Sequence, residues 1–132
     1  MRALLIPLHD EVYAVDMVAA REVVAAPEIT PLPLAPTAVL GVFNLRGDIV
    51  PVFDTARLLG LGTGPAIAYV AVVETSVGLA GLTMTALGEA VELGEPVGVT
   101  DTPATIASYE LGTRLAVLVD VEALLAPVRV AG

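Results

Sequence analysis

The sequence predicts a small, mainly β protein of the barrel or sandwich class. Its apolar runs have the length of strands, and 12 glycines and 10 prolines separate them at short intervals. Only brief helices are indicated, and an aspartate precedes each of the two clearest ones. Many short strands with Gly/Pro turns and few helices are typical of barrels and sandwiches.

The first elements are strands followed by a proline-rich connector. Residues 3–8 (ALLIPL) predict a strand, and the start of residues 11–24 predicts a second strand with one buried face, although the periodicity also allows a helix. Residues 25–36 contain too many prolines for a regular element, because each residue before a proline is pushed to extended geometry. One helical turn is predicted from Thr37, its cap, to Gly41, its stop.

A turn and a strand are predicted over residues 42–53, followed by a short helix. Asp54 is a good N-cap for a helix over residues 55–59, and Gly60 is a good terminator. The Gly/Thr/Pro loop that follows contains no residue that favours a regular element. We therefore expect one domain over residues 1–132, with a boundary between subdomains near residues 60–66.

The second half repeats this order of strands and a capped helix. Strands are predicted at residues 66–74, 79–87, 89–93 and 115–119. Asp120 caps a final helix over residues 121–126, which Pro127 is expected to end. The terminal strand and helix, residues 114–126, are expected to pack back on the first half. Each half ends in a similar capped segment (DTARLL and DVEALL), although no clean sequence repeat is present.

The charge balance argues against nucleic acid and anionic membranes as partners. The net charge is −9, all six basic residues are arginines, and none lies between Arg57 and Arg114. Binding to phosphates requires a cluster of basic residues, and an anionic membrane surface requires the same. We interpret the acidic second half as a solvated face.

The high mean hydropathy of +0.85 raises the question of a membrane span. The most apolar window, Val23 to Phe43, contains Glu28 and four prolines, which would break a helix repeatedly. We therefore expect a soluble protein without membrane insertion. The absence of cysteine excludes disulfides and thiolate metal sites and suits the cytosol.

No constellation of residues predicts an enzyme. His9 is the only histidine, and the glycines of residues 60–64 lack the Lys-Ser/Thr pair of a phosphate-binding loop. Asp54 precedes Thr-Ala, whereas an aspartic protease has Asp-Thr-Gly, and helix capping explains this aspartate better. We therefore expect no catalytic, cofactor-binding or metal-binding residues, and the sequence indicates a binding module.

One dense motif identifies a family. Residues 44–54 (NLRGDIVPVFD), with LGL at residues 59–61, resemble the CheW family of bacterial chemotaxis coupling proteins. Residues 13–23 and 112–125 resemble its opening and closing regions, so the likeness spans nearly the whole chain. Thr55 and Ala56 replace the family's usual Leu and Arg, and residues 83–91 lack its usual Asp.

The resemblance implies two intertwined five-stranded SH3-like barrels around a shared hydrophobic core, with no catalysis. It also implies an adaptor that couples the cytoplasmic tips of chemoreceptors to the regulatory domain of a chemotaxis histidine kinase, in cytoplasmic arrays. The alternative is a regulatory or sensory module on the same fold, with a small molecule or a non-chemotaxis protein as its partner.

The resemblance also assigns roles to particular residues. The receptor-binding candidates are Gly41, Asn44, Arg46, Gly47 and Ile49. The two glycines could equally serve backbone geometry alone. The family pattern further implies that Arg46 pairs with an early glutamate, which is Glu22 here. We expect a semi-buried, hydrogen-bonded ion pair that ties the turn to an early strand, the alternative being an arginine that extends into solvent.

Overall fold

The computed structural model describes residues 1–62 and 67–130, with side chains to residue 128. The strands in these residues are β1 (Arg2–Leu8), β2 (Glu11–Asp16), β3 (Ala20–Ala25), β4 (Val39–Leu45), β5 (Asp48–Phe53), β6 (Tyr69–Thr75), β7 (Gly78–Met84), β8 (Ala90–Glu92), β9 (Gly98–Val99), β10 (Thr105–Leu111) and β11 (Arg114–Val119). The helices are α1 (Thr55–Leu58) and α2 (Val121–Val130). Part of the predicted boundary at residues 60–66 lies outside the described residues.

The strands form two sheets that exchange elements between the halves of the chain. One sheet has the order β8-β1-β2-β11-β10-β9, and the other has the order β3-β6-β7-β5-β4. β3 thus pairs with β6 of the second half, and β11 pairs in parallel with β2 of the first half. The predicted mainly β, intertwined fold is confirmed. The first sheet has six strands instead of five, because the two-residue β9 adds to its edge.

Three apolar clusters fill this architecture. The largest lies between the sheets and combines Leu4, Ile6, Tyr13 and Val15 with Phe53, Ala71, Leu82, Met84 and the helix residues Leu124 and Leu125. A smaller cluster belongs to each sheet, one around Tyr109 and one around Phe43. Both faces of β2 are covered, because Tyr13 and Val15 pack in the largest cluster and Ala14 packs in the cluster around Tyr109, and Val12 is buried as well. The prediction of a single buried face for this strand was therefore wrong.

The predicted helical turn at Thr37–Gly41 is also wrong, because β4 begins at Val39. Gly41 lies within this strand with φ +147°, where the register to β5 shifts. A Cβ at Gly41 would lie 2.2 Å from the carbonyl oxygen of Thr30. Thr30 exchanges two backbone hydrogen bonds with Val42 at 2.8 and 2.9 Å. The glycine therefore permits a close backbone contact and does not end a helix.

The capping predictions agree with the structure, whereas the predicted end of the second helix does not. An Asp54 oxygen accepts from the Arg57 amide at 3.2 Å, and an Asp120 oxygen accepts from the Ala123 amide at 3.1 Å. Gly60 follows α1 with φ +77°. Pro127, however, lies inside α2. Its missing N–H costs one helical hydrogen bond, while the buried Leu124 and Leu125 anchor the preceding turn.

The two hairpins with their following helices form an internal repeat. The β10–β11 register begins at Thr105–Val119, and each pair lies 66 residues after its β4–β5 counterpart (39 to 105, 53 to 119). Both hairpins have a register shift near their start. In both, the capping aspartate donates its N–H to an alanine carbonyl at 2.8 Å, Ala38 in one and Ala104 in the other. The sequence showed only the similar helices.

Candidate functional site

An open groove of about 500 Å³ runs along the β4–β5 hairpin, and we call it the hairpin groove. The end of β3 and the connector after it form one wall, through Val24, Pro27, Glu28 and Thr30. The hairpin forms the other, through Val42, Phe43, Asn44, Leu45 and Ile49. Most of this lining is apolar. The side chain of Ile49 is 62% exposed, which is unusual for an isoleucine in a strand and leaves its surface available for contact.

The turn at the tip of the hairpin has a fixed geometry. Arg46 and Gly47 both have positive φ, +50° and +95°, as a tight two-residue hairpin turn requires. Asn44 stabilises this turn, because its Oδ1 accepts a hydrogen bond from the Gly47 amide at 2.8 Å. A Cβ at Gly47 would meet no atom within 4 Å, so the glycine is needed there for its dihedral angle alone.

Arg46 contacts Glu22 on β3 through both carboxylate oxygens. Nη1 donates to Oε2 at 3.2 Å, and Nη2 donates to Oε1. Arg46 is 70% exposed and Glu22 is 33% exposed, so the pair lies nearer the surface than the expected semi-buried position. Hydrogen bonding to Arg46 lowers the pKa of Glu22, and the same bond raises the pKa of Arg46. The pair links the hairpin tip to β3.

The structure brings most of the predicted site residues together. Asn44 and Ile49 line the hairpin groove, and Arg46 and Gly47 form the turn at the tip of the same hairpin. Gly41 is buried beneath the Thr30 backbone, so it shapes the hairpin from below.

Sequence reasoning missed the opposite wall of the groove. Pro27, Glu28 and Thr30 lie in the segment predicted to be a connector. Its prolines correctly indicated extended backbone. They gave no sign that Thr30 bridges to Val42 and closes one side of a groove. Glu28 was noted only as a charge that disfavours a membrane span.

Two further grooves lie elsewhere on the described surface. One of about 370 Å³ is lined by Asp10, Glu11, Tyr13, Arg114 and Leu115, together with Val12 and Val117. The Tyr13 hydroxyl donates to Glu11 at 3.2 Å, and burial followed by the Glu11 charge raises the pKa of Tyr13 to about 12. The other groove, of about 230 Å³, lies near the start of α2.

Two features are absent from the part of the chain that the structure describes, a metal-binding cluster and a membrane-spanning helix. Within residues 1–62 and 67–130, no group of three or more His, Cys, Asp or Glu residues is placed to hold a metal ion. No helix in the same part of the chain combines the length and the apolar character needed to cross a bilayer. The fold and this surface are those of a mainly β module that carries an apolar groove with an amide and a carboxylate in its lining.

Comparison with known proteins identifies the family. The CheW-like domain family matches residues 2–128. The chain is 38% identical over 65 residues to a chemotaxis protein CheW of Rhizobium meliloti (strain 1021), covering 48% of this chain and 42% of that protein. It is also 38% identical over 47 residues to a chemotaxis protein CheW of Treponema pallidum (strain Nichols), covering 36% and 28%. These alignments span less than half of either relative.

A solved structure supports the same assignment. The fold resembles the scaffolding protein TtCheW from Thermoanaerobacter tengcongensis, with a TM-score of 0.76 and 26% sequence identity. The match covers 89% of this chain and 87% of the other. The chain belongs to the CheW-like domain family, whose members are non-catalytic scaffold proteins.

Proposed function

We propose that this protein is a chemotaxis adaptor that couples chemoreceptors to the regulatory domain of a chemotaxis histidine kinase. Family membership over residues 2–128 and the similarity to a scaffolding protein support the general role. The identification of chemoreceptors and the kinase regulatory domain as the two partners is our inference. We place the protein in the cytoplasm, held at receptor arrays through protein contacts.

The hairpin groove is the observation that carries the receptor part of this proposal. Its floor is apolar, it is open along its length, and Ile49 projects from a rigid two-stranded platform. These features suit an amphipathic helix, which lays its apolar face into a groove through side chains spaced three and four residues apart. The cytoplasmic tip of a chemoreceptor is a helical hairpin, so we assign it to this groove.

Within this assignment the predicted residues have distinct roles. Ile49 and Asn44 contact the helix, because both line the groove. Gly47 and Arg46 hold the tip in place through the turn and the Glu22 pair. Gly41 acts indirectly by allowing the Thr30 wall to approach the hairpin.

The kinase contact is assigned to the second half. Val99 on the edge strand β9 is 94% exposed, and Val97 just before it is 52% exposed. Leu115, the counterpart of Ile49 in the internal repeat, is 57% exposed. The exposed Val97 and Val99 at the edge of this sheet suit a protein partner with an apolar surface, whereas Leu115 lies on the opposite face of the sheet from Val99.

Isothermal titration with two partners tests the proposal. The purified chain is titrated with a kinase regulatory domain and with a chemoreceptor hairpin fragment, both from the same genome. We expect micromolar or tighter binding to each. Ile49→Asp should weaken only receptor binding, and Val99→Asp should weaken only kinase binding. Val77→Asp is the matched control, because Val77 is 72% exposed in the β6–β7 turn. Failure of the folded wild-type chain to bind either partner would contradict the adaptor role.

The alternative is a sensory module for a small molecule or a non-chemotaxis protein. A small-molecule site is usually a concave pocket that encloses most of its ligand. The hairpin groove and the two other grooves are open to solvent. This favours a macromolecular partner.

A further inference from the structure

Glu28 is the charged residue in the lining of the hairpin groove. Its side chain is exposed, and it forms no hydrogen bond or ion pair with the residues that the structure describes. The rest of the lining consists of apolar residues with Asn44 and Thr30. A single uncompensated carboxylate beside an apolar surface gives that surface a preferred partner charge.

The cation on the neighbouring hairpin does not neutralise Glu28. Arg46 donates to both carboxylate oxygens of Glu22, so its guanidinium is already engaged. Two other arginines pair elsewhere, Arg21 with Glu74 and Arg57 with Asp54. The chain contains no lysine. None of the ion pairs among the described residues includes Glu28, so its charge remains available to a partner.

We infer that Glu28 is a specificity-determining residue, which selects helical partners with a Lys or Arg beside their apolar ridge. The partner's apolar ridge lies along Val42 and Ile49, which share one face of the hairpin, and its basic side chain reaches across the groove to Glu28. A helix brings the two together, because residues three and four apart lie on the same face. This inference rests on the proposed receptor-binding function of the groove and names the chemistry of its partner.

Binding of a chemoreceptor hairpin fragment from the same genome tests the inference. The charge-removing variant Glu28→Gln should weaken binding about threefold, as expected for an exposed ion pair. The charge-reversing variant Glu28→Lys should weaken it about tenfold through repulsion. Both differences should diminish at high salt, because exposed charges are screened. Glu95→Lys makes the same charge change at an exposed position outside the groove and should leave binding unchanged.

A charge exchange then identifies the partner residue. Each basic residue near the receptor tip is replaced by Glu, and we expect Glu28→Lys to restore binding to one of these fragments. If no fragment is rescued, or if Glu95→Lys weakens binding as much as Glu28→Lys, the inference is overturned. If Ile49→Asp abolishes binding while both Glu28 variants bind normally, the receptor function stands and the role of Glu28 is wrong. If the wild-type chain does not bind the fragment, the proposed function fails as well.

Discussion

The two hairpin–helix units of this molecule share a backbone plan and differ at the surface. Each register pair of β10–β11 lies 66 residues after its counterpart in β4–β5, and both units end in an aspartate-capped helix. Phe43 in one barrel corresponds to Tyr109 in the other, and both are buried. The backbone of the two hairpin–helix units is therefore the same, and the hairpin groove depends on the residues that pack beside the hairpin.

The residues that pair beside the two hairpins differ. Thr30 of the connector bridges to Val42 in the first unit, whereas Ser108, the counterpart of Val42, pairs with Gly98 of β9 in the second. Pro27, close to the Thr30 bridge, lines the hairpin groove and is partly exposed. Leu93, which precedes β9, is only 2% exposed and packs in the cluster around Tyr109. The residues before each hairpin therefore line an open groove in one unit and contribute to a buried cluster in the other.

The largest effect is expected from removal of this leucine. Leu93→Ala should destabilise the protein by about 2–5 kcal/mol, because it removes buried methyl groups and leaves a cavity. Urea unfolding followed by circular dichroism measures the change. Leu87→Ala is the control, since Leu87 is 58% exposed and its truncation should cost little. A cost for Leu93→Ala no larger than that of the control would contradict its role in the cluster around Tyr109.

Gly41 provides the second comparison, because its counterpart 66 residues later is Ala107. Gly41→Ala should destabilise by about 1–3 kcal/mol through backbone strain, and by more if the Thr30 backbone cannot move. Ala107→Gly, the reciprocal change, should cost only about 0.5–1 kcal/mol through chain entropy. Equal effects of the two substitutions in urea unfolding would show that the Thr30 contact does not constrain Gly41.

The two capping aspartates should differ by a smaller amount. Asp54 is 6% exposed, whereas Asp120 is exposed. Loss of an N-cap typically costs about 0.5–2 kcal/mol. We expect Asp54→Ala near the upper end of this range and Asp120→Ala near the lower end. Thermal unfolding of both variants checks the order, and Asp54→Asn, which keeps a capping oxygen, should recover part of the loss. The reverse order would mean that burial adds nothing to this cap.

The sequence predicted the fold class, the β5 strand and both aspartate caps, because these depend on local patterns and on a dense motif. It did not reveal the Thr30–Val42 bridge, which joins residues across the proline-rich connector. That bridge explains why the predicted helical turn at Gly41 is wrong and why one wall of the groove was not predicted. The internal repeat was hidden because it is conserved in register rather than in residue type: Gly41 corresponds to Ala107, and Asn44 to Glu110.

The Arg46–Glu22 pair should give the smallest effect and a characteristic pH dependence. The second hairpin has Gly112 at the position of Arg46, so this link exists only in the first unit. The folded state lowers the pKa of Glu22. The stabilisation is therefore present above the ordinary glutamate pKa of about 4.3 and is lost as the pH falls through the lower folded value. Since the pair is exposed, we expect a small effect that salt reduces further.

Urea unfolding of the wild type, Arg46→Gln, Glu22→Gln and the double variant measures this coupling. At neutral pH the two single changes should be non-additive, and the non-additivity should disappear in acid once Glu22 is protonated. A matched cycle on Arg21 and Glu74, which pair on neighbouring strands, shows whether exposed pairs in this sheet behave alike. Additive losses at neutral pH would mean that the contact contributes nothing to stability. The turn would then be held by the Asn44–Gly47 hydrogen bond and the backbone alone.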